Sequence, residues 1–392
     1  MPAVNPEILV WARRTAGLTI EDAGAKLSIR DARLVAIERG EKDPTRPTLV
    51  RMARHYRRPL LTFYLSAPPS RGDRGVDFRT LPAERSAEME AYIDALVRDV
   101  QSRQSMVRAT LEAEDDAEPR TFIGSLTSTD DTKAGLEALR NVLGPKLTAD
   151  HYYDQPTPQD AFALLRSRAE DAGVFVLLKG NLGSYHTAID VEAFRGFAIA
   201  DVIAPFVIIN ECDSPPAWSF TLLHELVHLL LGQTGLSGVE PGNRIEQFCN
   251  QVAAEWLLPI PTLAELALDR DHDIGAQEAQ IGAFAWERNL SGTMVAYRLL
   301  RTGHIDQRTF DLLSSAFSAH WQRERDRRRA QSRESDGGSN YYAVRRHRVG
   351  QALQDFAQRM MDSGALSTTK TARILGVKPT QVGELLRPVG SP

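Results

Sequence analysis

The residues with the clearest chemical pattern lie in one apolar stretch between Thr221 and Leu231. His224, Glu225 and His228 form the sequence His-Glu-x-x-His, with leucine and valine at the two intervening positions. Residues four apart lie on one face of a helix, so His224 and His228 can present two imidazoles to a single metal ion. Glu225 lies beside that face, where it can serve as general base towards a water molecule. The spacing is typical of zinc proteases and predicts a catalytic zinc site.

A third ligand for this zinc is expected from a second element that faces the first. Catalytic zinc sites use three protein ligands and keep one position open. Glu246 follows His228 by 18 residues, which is enough for a helix end, a loop and a return. Asn250 lies one turn beyond Glu246, where its side chain can orient a ligating imidazole. Glu255 is a rival ligand, but its nine-residue offset puts it on the opposite helix face. Cys249 is a second rival, and its small side chain also suits a core position.

Apolar periodicity and turn residues predict the elements that position these side chains. One helix precedes three strand candidates and two helices follow them, an order that indicates an α+β domain. The expected elements are a helix over 157–170, strands over 174–178, 194–199 and 206–209, and helices over 219–231 and 244–258.

Residues 5–65 carry the signals of five short helices with a tight turn between the second and the third. Thr19 and Asp22 can form a capping box at the start of the second helix. This arrangement predicts a helix-turn-helix domain whose third helix makes the DNA contacts. The expected DNA-binding residues on that helix are Arg30, Arg33 and Arg39.

The length of 392 residues is sufficient for two or three domains. We predict a multidomain, mainly α protein with an all-α helix-turn-helix domain and an α+β zincin-like metalloprotease domain. The expected divisions are a helix-turn-helix domain over 1–66, a linker and long helix over 67–119, the metallopeptidase domain over 120–322, a charged linker over 323–339 and a small helical region over 340–392. Within that last region, 368–375 and 379–386 have a weak helix-turn-helix pattern.

Composition narrows the class of protein. Hydrophobic residues make up 42% of the chain and the net charge is −4, so a nucleic-acid surface must be a local basic patch. Two cysteines fit a reducing compartment, and no secretory signal or membrane span is evident, so we expect a cytoplasmic protein. The long helical pattern over 83–114 is suited to pairing with a second copy, which makes a homodimer one expectation.

These motifs together resemble the ImmA/IrrE family of bacterial metallopeptidases, in the form with an N-terminal XRE-type helix-turn-helix domain. The metal motif is the most specific part, and the resemblance covers nearly the whole chain. The matching stretches include HELVHLLLG, IEQFCNQVAAEWLLP, FRGFAIAD, PFVIIN, IERGEKDPT, YRRPLLTFYL and GGSNYY. The resemblance implies that His224, His228 and Glu246 bind zinc and that Glu225 is the catalytic base.

The family implies regulated cleavage of a specific repressor protein, usually itself an XRE-type regulator, which derepresses stress-response or mobile-element genes. The alternative is a DNA-binding transcriptional regulator whose zinc domain senses a signal without proteolysis. An intact Glu225 favours the protease, because a sensor needs ligands but no base. Phe248 and Cys249 depart mildly from the family pattern, at positions where polar residues and alanine are common, and leave the ligands unaffected.

Two interpretations of the helix-turn-helix domain stay open. Ile20 and Asp31 stand where many XRE repressors carry glutamine, and an aspartate that faces phosphates is unfavourable. The domain is either a DNA-binding unit, which we favour, or a retained fold that makes protein contacts.

Two details of the proteolytic chemistry also stay open. Tyr297, Arg298 and His186 are candidates for the group that stabilises the oxyanion. The strand over 206–210 is a candidate sheet edge that could hold the substrate backbone as an added strand.

Overall fold

A computed structural model of the chain describes residues 4–69, 76–77, 87–184, 187–237, 244–268, 273–334 and 340–387. The chain divides into two compact units. The first unit comprises Met1–Arg74, Thr80–Ser102 and Asn181–Ala193, and the second comprises Gly75–Arg79, Arg103–Gly180 and Phe194–Pro392. Among the described residues, no helix is long and apolar enough to cross a membrane.

The first unit contains the short helices that its capping residues predict. They are α1 Pro6–Arg14, α2 Ile20–Leu27, α3 Asp31–Glu38 and α4 Arg46–His55, and a 3-10 helix over Leu60–Tyr64 replaces the fifth predicted α-helix. Thr19 and Asp22 form the predicted capping box at the start of α2. The Thr19 hydroxyl accepts the Asp22 backbone N–H at 3.1 Å, while the Asp22 carboxylate accepts the Thr19 backbone N–H at 3.4 Å.

A buried apolar core joins these helices, and one ion pair fixes α3 against α1. The core includes Ile8, Leu9, Ala12, Ala23, Leu27, Leu34, Ile37, Leu49, Met52, Tyr56 and Phe63. The Arg13 guanidinium donates to both carboxylate oxygens of Glu38, at 2.7 and 2.9 Å, and to the carbonyl oxygen of Leu18 at 2.8 Å. The hydrogen bond to Glu38 raises the pKa of Arg13. Because the pair is largely buried, it sets the position of the predicted recognition helix.

The predicted long helix is α5, Ala87–Ala113, which contributes residues to both units. The remaining helices belong to the second unit. They are α6 Thr132–Leu143, α7 Ala149–Tyr153, α8 Pro158–Asp171, α9 Pro215–Leu230, α10 Arg244–Leu257, α11 Ile260–Leu263, α12 Ile274–Glu287, α13 Gly292–Arg301, α14 Gln307–Glu334, α15 Tyr341–Val349, α16 Gln351–Asp362, α17 Thr368–Leu375 and α18 Val382–Leu386, with a 3-10 turn over Pro379–Gln381 before α18.

A small mixed sheet supports the second unit. Its strands are β1 Val76–Asp77, β2 Phe175–Leu178, β3 Gly196–Ile199, β4 Phe206–Ile209 and β5 Gly235–Ser237, and their order is β1-β5-β3-β4-β2. β4 is parallel to β2 and antiparallel to β3, which is in turn antiparallel to β5. Every residue of β2, β3 and β4 is buried, which explains why their sequences are continuous apolar runs rather than alternating patterns.

The sheet corrects one sequence-based expectation. The segment over 206–210 is not a sheet edge, because β4 lies between β3 and β2 and is hydrogen-bonded on both sides. A substrate strand therefore cannot add to it. Strands β1 and β5 were not predicted from the sequence. They have two and three residues, which are too few for a periodic pattern to be detected.

The predicted charged linker over 323–339 is helical over most of its length. Helix α14 continues through it to Glu334, and 335–339 lie outside the described residues. Residues 323–334 contain six arginines and neither glycine nor proline, a composition that suits a solvated helix as well as an open coil. Composition alone does not separate these two states.

The C-terminal helices are fixed to helix α8 and strand β2 of the second unit by one buried ion pair. Arg166 and Glu170 of α8 face each other at 3.1 Å, with each side chain 8% exposed. The Arg166 guanidinium also donates to the carbonyl oxygens of Val176 in β2 and His347 in α15. The Glu170 carboxylate accepts the backbone N–H groups of Gln351 and Ala352, the first residues of α16. The pair thus joins α8, β2, α15 and α16.

Candidate metal centre

Helix α9 carries the His-Glu-x-x-His pattern through the centre of the second unit. Pro215 begins the helix, where its missing N–H costs nothing. Thr221 and all nine residues from Leu222 to Leu230 are buried, so the helix packs on the sheet and on neighbouring helices around its full circumference. Such a helix holds its side chains rigidly, which suits metal ligands.

Helix α10 returns along α9 and brings a carboxylate to the two imidazoles. The Nε2 atoms of His224 and His228 are 3.1 Å apart. Glu246 lies between them, with Oε2 at 3.3 Å from His224 Nε2 and Oε1 at 3.0 Å from His228 Nε2. All three side chains are buried, with exposures of 5%, 2% and 1%. The structure therefore brings together the three residues that the sequence predicts as ligands.

These distances match the edges of a metal coordination shell. Ligands bound at about 2.0–2.1 Å to a tetrahedral ion lie about 3.3 Å from one another. Two buried imidazole nitrogens that face each other at 3.1 Å repel unless a proton or a cation lies between them. Two imidazoles and one carboxylate therefore form a donor set that fits a divalent metal ion.

The charges of the cluster also suit a cation. Burial alone would raise the pKa of Glu246, but the two adjacent imidazoles hold it at about 2, so the carboxylate is ionised. Burial and the neighbouring His224 lower the pKa of His228. Burial alone would lower the pKa of His224, yet Glu246, Glu225 and Asn250 outweigh that effect and raise it. Since a ligating imidazole must be neutral, a bound metal ion would displace the proton from His224.

Glu225 lies next to the two histidines and against strand β3. Its side chain is completely buried. The β3 residue closest to it is Gly196, where a methyl group would lie 2.8 Å from Glu225 Oε1 and 2.5 Å from Thr221 Cγ2. A larger residue at Gly196 would therefore displace the carboxylate. The sequence analysis did not identify this glycine, because its role depends on the approach of α9 to β3.

Two amide side chains contact the imidazoles. The Asn250 side chain of α10 raises the pKa of His224, and the Gln233 side chain raises the pKa of His228, so each amide lies close to its imidazole. Such contacts orient ligating histidines. Asn250 was expected from its spacing, whereas Gln233 was not: its backbone N–H donates to the His228 carbonyl oxygen after the turn that ends α9.

Comparison with known protein families agrees with this geometry. Residues 169–300, which include α9, α10 and all the residues of the cluster, match the family described as the IrrE N-terminal-like domain. The chain carries an IrrE N-terminal-like domain. Residues 9–61 match a helix-turn-helix domain. No curated protein and no solved structure matches the chain significantly. The protein is thus a metallopeptidase-like regulator with a helix-turn-helix domain, and its peptidase family implies a metal ion.

The rival ligands in the IrrE N-terminal-like domain have other partners. Glu255 lies 3.5 Å from the buried guanidinium of Arg298. Cys249 is fully buried, and burial together with the charges of Glu246 and Glu225 raises the pKa of its thiol well above the usual value. The buried side chains whose donor atoms lie close enough to share a metal ion are His224, His228 and Glu246, and Cys249 is not among them.

The three candidate oxyanion donors of the IrrE N-terminal-like domain differ in their contacts. Arg298 donates to the carbonyl oxygen of Leu258 at 3.1 Å and pairs with Glu255, so its charge is already compensated. The Tyr297 ring packs edge-to-face against Phe310. His186 lies outside the described residues.

The helix-turn-helix domain exposes the three arginines that the sequence singles out. Arg30 precedes α3 as its capping residue, Arg33 lies on the exposed side of α3, and Arg39 follows the helix with its side chain 70% exposed. The Asp31 carboxylate points towards α2. A methyl group added at Gly24 of that helix would lie 2.3 Å from one of its oxygens. The acidic group is therefore directed at the neighbouring helix, which lessens its conflict with DNA phosphates.

We predict that Glu246→Gln strongly weakens metal binding, while Glu255→Gln does not. Both residues lie on α10, but only Glu246 faces the histidines. Loss of an orienting partner already weakens metal affinity about 10- to 100-fold, so loss of a ligand should exceed about 100-fold. Titration of the purified full chain with zinc in the presence of a competing chelator measures this. Equal affinity in the two variants would contradict the assignment of Glu246 as a ligand.

Proposed function

We propose that the protein is a zinc-dependent regulatory endopeptidase that cleaves a specific repressor protein, itself a helix-turn-helix regulator, and so derepresses stress-response or mobile-element genes. The observation that carries this proposal is the buried Glu225 carboxylate beside three convergent donors. A metal site that served only to hold the fold or to sense a signal would need the donors but no buried acid next to them. The match to a peptidase family supports the same conclusion.

Each residue of the site has a distinct task in this mechanism. His224, His228 and Glu246 would hold zinc, which would supply a Lewis acid for the scissile carbonyl. Glu225 accepts a proton from the attacking water molecule on its carboxylate and returns that proton to the leaving amine. Gly196 leaves the space that this carboxylate occupies, while Asn250 and Gln233 hold the imidazole rings in orientation.

Regulatory rather than degradative cleavage follows from the domain composition. A degradative protease gains nothing from a helix-turn-helix domain, whereas a regulator uses it to reach DNA or a DNA-bound partner. We propose that residues 1–66 contact DNA through Arg30, Arg33 and Arg39, which brings the peptidase to operators where its substrate repressor resides. Such co-localisation raises the effective concentration of the substrate.

We expect Glu225→Gln to abolish cleavage while metal binding persists. The amide cannot accept a proton, and general acid–base catalysis contributes about 10²- to 10⁴-fold to rate. The measurement incubates wild type and variant with the repressor encoded beside the gene and follows the intact repressor by mass spectrometry, together with the zinc content of both proteins. Equal cleavage by the variant would exclude Glu225 as the base.

Gly196→Ala tests the position of the same carboxylate from the opposite side. The added methyl group must push Glu225 or Thr221 aside, and a shift of about 1 Å in a catalytic group costs about 100-fold in rate. The zinc content should stay near that of wild type, because Gly196 is not a ligand. Gly282→Ala in α12 is the matched control, since the nearest atom would lie 3.9 Å from its added methyl group. Undiminished cleavage by Gly196→Ala would show that Glu225 needs no fixed position.

The competing function is a transcriptional regulator whose metal site senses a signal without proteolysis. The exposed arginines of the helix-turn-helix domain are compatible with both functions. The two are separated by a promoter-binding assay run beside the cleavage assay. A wild-type protein that shifts promoter DNA in a metal-dependent way, and that never cleaves the repressor in the presence of its inducer, would establish the sensor and refute the protease.

Arg30→Ala/Arg33→Ala should weaken DNA binding by the full chain. Each lost phosphate contact reduces the slope of log affinity against log salt concentration by about 0.9. Arg51→Ala/Arg54→Ala removes the same charge from the exposed side of α4 and is the control. Fluorescence anisotropy with duplex promoter DNA at several salt concentrations measures both. If the two double variants bind alike, α3 is not the DNA-contacting helix.

A further inference from the structure

The last two helices, α17 and α18, have the order and the connecting turn of a second helix-turn-helix, which the function above does not use. Helix α17 is followed by a three-residue turn over 376–378 and then by the 3-10 turn and α18, which together span 379–386. A turn of three or four residues with a glycine is typical of this motif. Gly376 has φ +70°, a conformation that favours glycine, and it ends α17.

Apolar residues inside the motif join its two helices. Ala372 and Leu375 of α17 and Val382 and Leu385 of α18 are each 2% exposed or less. These side chains fix the second helix across the first. No residue over 342–387 is a largely exposed large hydrophobic residue. The outer surface of the motif is therefore polar, and it lacks the apolar centre that protein interfaces bury.

Two arginines outside the motif hold it in place. The largely buried Arg103 of α5 donates to the carbonyl oxygen of Ile374 at 3.2 Å, and its guanidinium lies where a methyl group at Gly376 would be, at 2.3 Å. Arg346 of α15 donates to the carbonyl oxygens of Leu385 and Glu384, at 2.8 and 2.7 Å. Both guanidiniums therefore meet helix-end carbonyls, and the outer faces of α17 and α18 stay exposed.

The exposed faces carry the charge and spacing that duplex DNA requires. Thr380, Gly383 and Glu384 are exposed at offsets of three and four, so they lie on one face of the second helix. The exposed Arg387 follows α18 and pairs with Glu384 at 3.3 Å. Lys370 and Arg373 on α17 and Lys378 in the turn are exposed beside that face. Residues 368–387 contain four Lys and Arg against one Glu, a net charge of +3, whereas the whole chain carries −4. Basic charge is thus concentrated in this region.

We propose that this second helix-turn-helix, within 368–387, binds duplex DNA. The second helix enters the major groove, with Thr380 and Glu384 towards the base edges, because threonine serves as donor or acceptor and a glutamate accepts from the amino group of cytosine. Lys370, Arg373 and Lys378 contact phosphates on either side of the groove. Gln381 has a different task, since its side-chain oxygen accepts the Lys378 backbone N–H at 3.0 Å and so caps the turn.

The proposal has a direct consequence for regulation. The buried pair Arg166–Glu170 joins α15 and α16 to the peptidase helix α8, so the motif and the metal centre belong to one unit. DNA binding by this motif therefore holds the peptidase part itself at the DNA, independently of residues 1–66.

The test uses the full chain and a fluorescein-labelled 30-base-pair duplex of mixed sequence, with Arg30→Ala/Arg33→Ala/Arg39→Ala as the background. Lys370→Ala/Arg373→Ala/Lys378→Ala should weaken binding about tenfold or more and reduce the salt slope by about 2 to 3. Lys133→Ala/Arg140→Ala/Lys146→Ala removes the same charge from exposed residues in or next to α6 and should leave both values unchanged. All the substituted side chains are exposed, and thermal unfolding verifies that each variant folds.

A further variant gives an effect of opposite sign. Glu384→Gln removes an acidic group from the face that approaches DNA, so it should strengthen binding to the mixed-sequence duplex. If the 370/373/378 variant binds with the affinity and salt slope of its background, or loses no more than the 133/140/146 control, the DNA assignment is overturned. That result would favour a protein partner, instead of DNA, for the exposed face of 368–387.

Discussion

The packing of α10 along α9 is the interaction on which the rest of the peptidase unit depends. It places the Glu246 carboxylate within 3.3 Å of two buried imidazole nitrogens that are 3.1 Å from each other. Three polar groups so close together in a buried place are costly for an apolar core, and a bound divalent cation removes that cost. Metal binding and the folding of the centre are therefore coupled, and the surrounding elements can be understood as the support for this one cluster.

The support comes from three sides. Strand β3 approaches α9 so closely that only glycine fits at residue 196 beside Thr221 and Glu225. The turn that ends α9 folds Gln233 back onto His228, while Asn250 of α10 meets His224. The carboxylate of Glu225 is thus confined by the sheet, and the imidazoles by two amides. Catalytic groups need this kind of fixed surrounding, because small displacements are costly in rate.

Buried arginines act as connectors throughout the molecule. Arg13 ties α1 to α3 in the first unit, Arg166 ties α8 to β2 and α15, and Arg103 fixes the turn after α17. Arg166 and Arg103 donate to carbonyl oxygens in a strand or near a helix end, and Arg13 also donates to the carbonyl oxygen of Leu18 in the loop after α1. In the second unit this arrangement makes the C-terminal helices part of the peptidase body, although their sequence suggests a separate small region.

The sequence by itself determined the local features of this protein. Spacing of four residues placed His224 and His228 on one face, capping residues fixed helix starts such as that of α2, and offsets along α10 selected Glu246 and Asn250 over Glu255. Only the tertiary structure decided which strand lies inside the sheet, that α14 continues to Glu334, and why residue 196 is glycine. Local features depend on periodicity within one element, which a sequence displays. The others depend on contacts between distant elements, which no local pattern encodes.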